Sequence, residues 1–288
     1  MKPSILLQLD TDPHPSVFDG VVAVDAGVDH LFRHGGVTPD AARNLVYGAL
    51  FTRGGGDLQR TAIFIGGSDV SAGEALLKAV KKTFFADFRV SVLFDANGCN
   101  TTAAAAVLAA LEGSGGSVKG RRAAVLGGTG PVGQRVARLL ARLGASVALG
   151  SRILEKAKAT AESLKGTSGV EVDAFAQSSH EELQASLRGA SIVVTAGTTG
   201  VELLPADVLA NLPDLKVAID LNAVPPLGIA GISVTDKGTD RSGVRCWGAL
   251  GVGGTKMKIH RKAIAELFTS KDKILDAEEI LEIGQGLG

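Results

Sequence analysis

Short apolar runs alternate along the chain with longer segments that carry apolar residues at helical spacing. Alternating strands and helices predict parallel sheets covered by helices on both faces, which is an α/β fold. The predicted strands cover residues 5–9, 30–32, 61–65, 90–94, 123–126, 145–150, 170–175, 192–195, 216–220 and 245–247. The predicted helices cover residues 17–26, 39–49, 70–84, 101–111, 132–143, 153–164, 180–187, 205–212, 256–268 and 277–283.

A glycine- and serine-rich stretch, Gly113 to Ser117, is the best candidate for a linker between domains. We therefore expect two α/β domains with an active-site cleft between them. The predicted division gives an N-terminal α/β domain over residues 1–115, a second domain over 116–250, and C-terminal helices over 251–288 that pack back on the first domain.

Composition narrows the possible partners. The chain has 288 residues, of which 45% are hydrophobic, and a length of this size suits one large or two ordinary folded domains. Thirty basic residues balance 30 acidic ones, so no charge excess attracts nucleic acid or an anionic membrane, and neither is an expected partner.

The two cysteines, Cys99 and Cys246, have no metal-ligand spacing, and no metal site is expected. No signal peptide and no apolar run of membrane-spanning length is recognisable. We therefore expect a cytoplasmic protein.

The strongest motif is a glycine-rich turn between the strand at 123–126 and the helix at 132–143. Its frame is Gly128-x-Gly130-x-x-Gly133, in which the glycines serve a tight turn, close approach of a pyrophosphate, and close packing of helix on strand. The helix N-terminus then presents free N–H groups to the phosphates. The motif predicts a Rossmann-type, doubly wound dinucleotide-binding domain, with Thr129, Pro131 and Val132 also at the cofactor.

The end of the next predicted strand distinguishes NADP from NAD. An NAD-binding protein usually has Asp or Glu there for the ribose hydroxyls, whereas this chain has Ser151 and Arg152, followed by Lys156. Such side chains can hold a 2′-phosphate through charge-assisted hydrogen bonds, so NADP is the predicted cofactor. The alternative is that Arg152 and Lys156 are solvated residues at the start of the helix.

Three polar loops follow predicted strands of the first domain and should lie on one edge of its sheet: residues 10–16, 66–69 and 95–102. Ordinary turn and helix-cap chemistry is the alternative for each loop, and Asn100 or Thr101 would then only cap a helix. None of the five histidines lies in a nucleophile arrangement, and we expect structural or surface roles for all of them. That absence favours hydride transfer, which needs positioning rather than a proton relay.

Several long segments, colinear over nearly the whole chain, resemble the bacterial NADP-dependent methylene-tetrahydromethanopterin dehydrogenases, some of which also accept methylene-tetrahydrofolate. The chain departs from the family pattern at Cys99, Ile153 and Val224. The resembling segments are residues 9–12, 15–19, 52–55, 61–67, 97–105, 128–133, 222–223, 225–229 and 248–251, followed by Lys256, Lys258, His260 and Arg261.

The resemblance implies oxidation of the methylene carbon of a reduced pterin to the methenyl cation, with NADP as hydride acceptor, in one-carbon metabolism such as formaldehyde oxidation. It also implies a homo-oligomer, a trimer or hexamer. Asp19 is expected to face the cationic product, and Lys256 is expected to orient the pterin. The residues implied for the pterin are Asp10, Asp12, Ser16, Asn97, Asn100, Thr101, Thr102 and Pro226. Those implied for NADP are Gly128, Thr129, Gly130, Pro131, Val132, Gly133, Ser151, Arg152, Lys156, Thr195, Ala196, Gly197 and Asn222.

Two other hypotheses stay open on the sequence. A shikimate-dehydrogenase-like or glutamyl-reductase-like NADP enzyme would also suit Ser151-Arg152 after the glycine motif, although no well-placed Lys/Asp pair is evident in the first domain. A protein that binds NADP or pterin without turnover is the alternative from a different class.

Overall fold

The computed structural model describes residues 2–287 and confirms the α/β fold. No helix in that range is both long enough and apolar enough to span a membrane. The strands are β1 (Ile5–Asp10), β2 (His30–His34), β3 (Thr61–Gly66), β4 (Ser91–Phe94), β5 (Arg122–Leu126), β6 (Ser146–Ser151), β7 (Asp173–Ala176), β8 (Ile192–Thr195), β9 (Val217–Asp220), β10 (Lys237–Arg241), β11 (Val244–Trp247) and β12 (Ile274–Leu275). The α-helices are α1 (Val17–Asp25), α2 (Pro39–Phe51), α3 (Val70–Thr83), α4 (Cys99–Gly113), α5 (Pro131–Arg142), α6 (Leu154–Ser168), α7 (His180–Ser186), α8 (Ala206–Leu209), α9 (Ala249–Glu266) and α10 (Ala277–Gln285), with 3₁₀ turns at Gly55–Arg60 and Ala96–Gly98.

The chain forms two compact units. The first takes in the described residues up to Thr101 and those from Met257 onward, and the second is Thr102–Lys256. The chain passes between the units within α4 and within α9. The glycine-rich stretch after Gly113 is the turn between α4 and β5.

The first unit has a five-stranded sheet in the order β12-β4-β3-β1-β2, and all four strand pairs are parallel. Every residue of β3 and β4 is buried, as expected for central strands covered on both faces. Because the strands are parallel, the loops that follow Asp10, Gly66 and Phe94 share the carboxyl edge of this sheet. Two backbone hydrogen bonds connect the loop after β4 to the end of β3 and to the loop that follows it, from Asp95 N to Ile65 O and from Asn97 N to Gly67 O. The predicted common edge is confirmed.

The second unit has a seven-stranded sheet in the order β10-β11-β9-β8-β5-β6-β7. All neighbours are parallel except the β10–β11 pair. Counted from β5, the parallel strands have the 3-2-1-4-5-6 order of a doubly wound dinucleotide-binding sheet. The order reverses at β5, so the crevice beside the β5 and β8 carboxyl ends is the expected ligand position.

The prediction for α9 was wrong at its start, which lies at Ala249 rather than near residue 256. The sequence alone predicts a loop at this glycine run, because glycine disfavours helix interiors. Two of these glycines allow the first turn to lie against the preceding loop. A Cβ on Gly248 would lie 2.0 Å from Ser233 O, and one on Gly251 would lie 1.9 Å from Asp236 O.

The strands β10 and β12 were not predicted. The sequence of β10, Lys237–Arg241, is polar and mostly exposed, so it lacks the apolar signal of a buried strand. The strand β12 has two residues, too few for any periodicity, and it is defined by pairing with β4 at Val92 and Leu93.

Candidate active site

The glycine turn of the second unit lies between β5 and α5 as predicted, but its tight bend is made by Gly127. Gly127 has φ +64°, a conformation that glycine adopts without strain. A Cβ on Gly127 would lie 2.4 Å from Gly197 Cα, so the loops after β5 and β8 are in backbone contact.

The three glycines of the motif have different surroundings. A Cβ on Gly133 would lie 2.6 Å from Gly128 Cα, and one on Gly128 would lie 2.6 Å from Leu149 Cγ, so both glycines are required by packing inside the protein. Gly130 has an ordinary φ of −76°, and its Cβ would meet nothing closer than Ala196 O at 3.7 Å. No atom of the described residues therefore fills the space in front of Gly130. A pyrophosphate bound at the N-terminus of α5 requires such an open space. The residues here fit a dinucleotide.

The end of β6 is basic and contains no carboxylate. Ser151 is buried, and its Oγ accepts a hydrogen bond from the Ile153 backbone N–H at 3.3 Å, which fixes the turn into α6. Arg152 and Lys156 are both exposed, so their charged groups are available to a 2′-phosphate. This arrangement fits NADP better than NAD.

The ends of β8 and β9 are joined by a buried carboxylate that was not singled out in the sequence. Asp220 is 1% exposed, and its Oδ1 accepts hydrogen bonds from Thr195 Oγ1 at 2.7 Å and Asn222 N at 2.9 Å. The side chain of Asn222 accepts from Gly200 N and donates to Pro226 O. Thr195 and Asn222 thus hold the two loops together, while Ala196, Gly197 and Pro226 lie on their accessible surface.

In the first unit, Asp10 and Asp12 organise the loop after β1. Asp10 is fully buried, and its carboxylate accepts the backbone N–H groups of Asp12 at 2.9 Å and Ser16 at 3.0 Å. Asp12 accepts from Ser68 N and Ser68 Oγ, which ties this loop to the loop after β3. The predicted residues Asp10, Asp12 and Ser16 therefore lie together at the carboxyl edge, where their polar groups shape the loops.

Asp19, in the first turn of α1, has a pKa raised above its ordinary value, and burial is the main cause. His260 and a hydrogen bond with Ser16 lower its pKa, whereas the neighbouring carboxylates Asp95 and Asp10 raise it. Three carboxyl groups from α1 and the ends of β1 and β4 therefore share one electrostatic environment, which favours a cation nearby.

His260 lies on α9 and is almost completely buried beside this acidic group. Its ring stacks on Phe64 with centroids 5.7 Å apart and lies 6.4 Å from the ring of Phe18. The sequence predicts a structural or surface role for His260, and its surroundings were not predictable, because the neighbouring rings come from α1 and β3, at the other end of the chain.

The loop after β4 is built around Asp95, which the sequence did not single out. Its Oδ1 accepts the backbone N–H groups of Asn100 and Thr101, and its Oδ2 accepts the Thr101 hydroxyl at 2.6 Å. Asn100 Nδ2 also donates to Asp276 Oδ1 at 2.8 Å. Asn100 and Thr101 are fully buried, whereas Asn97 is exposed with φ +52°. Of the three, Asn97 is the one with an accessible side chain.

The predicted site residues form two groups. Asp10, Asp12, Ser16, Asp19, Asn97, Asn100 and Thr101 belong to the first unit, and the glycine-loop residues with Ser151, Arg152, Lys156, Thr195, Gly197 and Asn222 belong to the second. Thr102 and Lys256 fall at the two ends of the second unit, on α4 and α9, and both are half-buried.

Comparisons with known proteins identify relatives over the full length. A family profile described as methylene-tetrahydromethanopterin dehydrogenase, N-terminal, matches residues 17–97. Bifunctional protein MdtA of Methylorubrum extorquens is 50% identical over 285 residues, which cover 99% of each chain. The NAD(P)-dependent methylenetetrahydromethanopterin dehydrogenase of the same organism is 33% identical over 287 residues, covering 95% of each chain.

Solved structures support the fold. Quinate dehydrogenase from Corynebacterium glutamicum in complex with NAD has a TM-score of 0.55 and 17% identity, with 99% of this chain and 100% of that chain covered. The ligand-free 5-ketofructose reductase of Gluconobacter sp. strain CHM43 has a TM-score of 0.53 and 15% identity, with 100% and 99% covered. At these identities the likeness concerns the fold alone.

Proposed function

Because the chain belongs to the methylene-tetrahydromethanopterin dehydrogenase family, we propose that it is an NADP-dependent oxidoreductase acting on 5,10-methylene-tetrahydromethanopterin. The reaction transfers a hydride from the methylene carbon to NADP and leaves the methenyl cation. The observation that carries this proposal is the full-length match to the relative that is 50% identical. Methylene-tetrahydrofolate is proposed as a second substrate.

In this proposal the carboxyl edge of the seven-stranded sheet binds NADP. When bound, NADP supplies the carbon that accepts the hydride. The open space at Gly130 and the α5 N-terminus hold the pyrophosphate, and Arg152 and Lys156 pair with the 2′-phosphate. Thr195 and Asn222 act indirectly, since their hydrogen bonds keep the loops after β8 and β9 in place.

The carboxyl edge of the five-stranded sheet is proposed to bind the pterin. Loss of hydride makes the methylene carbon cationic, and an acidic group stabilises that charge as it develops. Asp19 is the best candidate, because it is half-buried, and its raised pKa shows that its charge is poorly solvated. A nearby cation would offset that cost. No proton has to move, so Asp19 serves as a fixed charge rather than a base.

A shikimate-dehydrogenase-like enzyme is the rival proposal, and it would use a Lys/Asp pair in the first domain. Lys256 is proposed to orient the pterin, and Lys256→Ala should then reduce turnover. Normal turnover by this variant would remove Lys256 from the site.

The biological setting is also a proposal. One-carbon metabolism, including formaldehyde oxidation, would supply the methylene substrate. Both cysteines are free thiols, which supports a reducing cytoplasm. A homo-oligomer is also proposed: the exposed apolar residues of α1 support self-association, and the number of copies, a trimer or hexamer, rests on the family resemblance alone.

The proposed function is tested by following nicotinamide absorbance after NADP and methylene-tetrahydromethanopterin are mixed with the protein. Methylene-tetrahydrofolate, quinate and shikimate serve as parallel substrates, and NAD replaces NADP in a second series. We expect NADP reduction with the methylene pterin and none with quinate or shikimate. Turnover of quinate or shikimate alone would support the rival enzyme class, and binding without turnover would indicate a carrier or sensor.

A further inference from the structure

Gln177 directly follows β7 and joins two loops of the second unit. Its backbone N–H donates to Ser151 O at 3.0 Å, which attaches it to the end of β6. Its side-chain Oε1 accepts a hydrogen bond from the Gly127 backbone N–H at 3.1 Å. The residue thus connects the glycine turn with the end of β6, where Ser151 and Arg152 lie.

The backbone around Gln177 is adapted to this position. A Cβ on Gly150 would lie 2.5 Å from Gln177 Oε1 and 2.5 Å from the Phe175 ring, so a glycine is required there for the carboxamide to fit. Gly127, which receives the carboxamide, is the residue with φ +64° that lies against Gly197. Gln177 therefore contacts the turn at Gly127, the residue whose positive φ and close backbone contact require a glycine.

The hydrogen bond to Gly127 also fixes the orientation of the amide. A backbone N–H can only donate, so the atom that accepts from it must be Oε1, and Nε2 must lie on the other branch. Nε2 has no hydrogen bond to another residue in the described range 2–287, and the side chain is only half-buried. The two protons on Nε2 can therefore donate hydrogen bonds to a ligand at the edge of the proposed cofactor site.

We propose that Gln177 binds the adenine-nucleotide half of NADP, with Nε2 as the donor and Oε1 holding the glycine turn. The adenine half is favoured because Gln177 lies beside the end of β6, on the same side of β5 as Ser151 and Arg152 and opposite to Thr195. The acceptor is an oxygen or ring nitrogen of the adenosine 2′-phosphate portion. This inference rests on the proposed function, because it assumes that the glycine turn binds NADP.

The test uses the full chain and the probe 2′,5′-ADP, which contains only the adenine half. Gln177→Met removes donor and acceptor at similar volume, and Gln177→Glu keeps an acceptor for Gly127 but cannot donate. Both variants should bind 2′,5′-ADP and NADPH about tenfold more weakly, the loss expected for a hydrogen bond of about 1.4 kcal/mol. Titrations at about 0.5 M NaCl screen the added charge of the glutamate. Gln184→Met, on α7, is the matched control and should bind normally.

A direct readout is the side-chain NH₂ signal in an amide nitrogen–proton NMR spectrum of the labelled protein, assigned by its loss in Gln177→Met. We expect this signal to shift when 2′,5′-ADP is added. Wild-type affinity in both variants, or an NH₂ signal that stays in place at saturation, would overturn the inference while the proposed function stands. A wild-type protein that binds neither NADPH nor 2′,5′-ADP would overturn both.

Discussion

The buried position of Asp19 destabilises the folded protein when its carboxyl group is ionised. Its pKa is raised above the ordinary value of 3.8, mainly by burial, so folding favours the protonated form. The carboxylate therefore destabilises the folded state at pH values above its raised pKa, and this penalty is absent well below pH 3.8, where the group is protonated in both states.

We predict that Asp19→Asn raises the melting temperature at neutral pH by roughly 2 °C, because the amide carries no buried charge. The same variant should lose about 100-fold in turnover, since it cannot stabilise a cationic carbon. Thermal unfolding between pH 3 and pH 8 checks the first part, and the gain should disappear at the acid end. Asp214→Asn, in an exposed loop, is the control. A variant that is less stable at neutral pH, or fully active, would contradict this account of Asp19.

Arg152 is the residue that distinguishes the two cofactors. We predict that Arg152→Ala raises the KM for NADP by tenfold or more, the loss expected for a charge-assisted hydrogen bond worth about 1.5–3 kcal/mol. The KM for NAD should change little, because NAD has no 2′-phosphate. Steady-state kinetics with both cofactors measure this, and Lys158→Ala, which removes a lysine paired with Glu155, is the control. Equal effects on both cofactors would refute the assignment of Arg152.

Sequence was informative at residues whose chemistry depends on local spacing. Gly130, Ser151 and Arg152 are recognisable because a glycine motif and the strand after it place them at fixed distances along the chain. The environment of Asp19 was not predictable, because it is made by His260 and Asp95, which approach only when α9 and β4 pack near α1. Gln177 carried no sequence signal for the same reason.

At the scale of elements, the first turn of α9 is decided by tertiary contact rather than propensity. Gly251 lies so close to the 233–236 loop that a methyl group would lie 1.9 Å from Asp236 O. A Cβ on Gly253, two residues later in the same helix, would meet nothing within 4 Å.

This difference gives a matched pair of substitutions. We predict that Gly251→Ala lowers the free energy of unfolding by about 3 kcal/mol, because the helix or the loop must move to relieve the overlap. Gly253→Ala should instead raise it by about 0.5–1 kcal/mol, since alanine favours a helix interior. Urea denaturation of both variants measures the two changes. Equal effects would mean that the close contact does not constrain α9.

The alternation of strands and helices was predictable because buried parallel strands leave an apolar run in the sequence. The short β12 and the polar β10 were not predicted, because neither has an apolar pattern of its own. They are strands because their backbones pair with β4 and β11. The division of the chain within α4 and α9 likewise depends on contacts between residues far apart in sequence.

At the scale of the whole molecule, α1 is apolar on more than one face. Its buried residues include Val22 and Ala23, each 1% exposed, whereas Val17, Val21 and Val24 are 70%, 55% and 62% exposed at helical spacing. A helix that is apolar around its circumference is usually buried on all sides, so a second copy of the chain is the expected cover.

We predict that the double substitution Val21→Asp with Val24→Asp converts the protein to a smaller species, because two charges would have to be buried at the interface. Light scattering after size-exclusion chromatography gives the mass of each form. Ser71→Asp, on an exposed position of α3, controls for added charge and should leave the mass unchanged. A double variant that keeps the wild-type mass would show that this face of α1 is not the interface.

The proposed function depends on direct transfer of hydride from the methylene carbon to NADP. The most direct test uses methylene-tetrahydromethanopterin with both methylene hydrogens replaced by deuterium, followed by mass spectrometry of the reduced cofactor. We expect one deuterium in each NADPH formed, together with the methenyl product. NADPH without deuterium, or no NADP reduction by the folded protein, would contradict it.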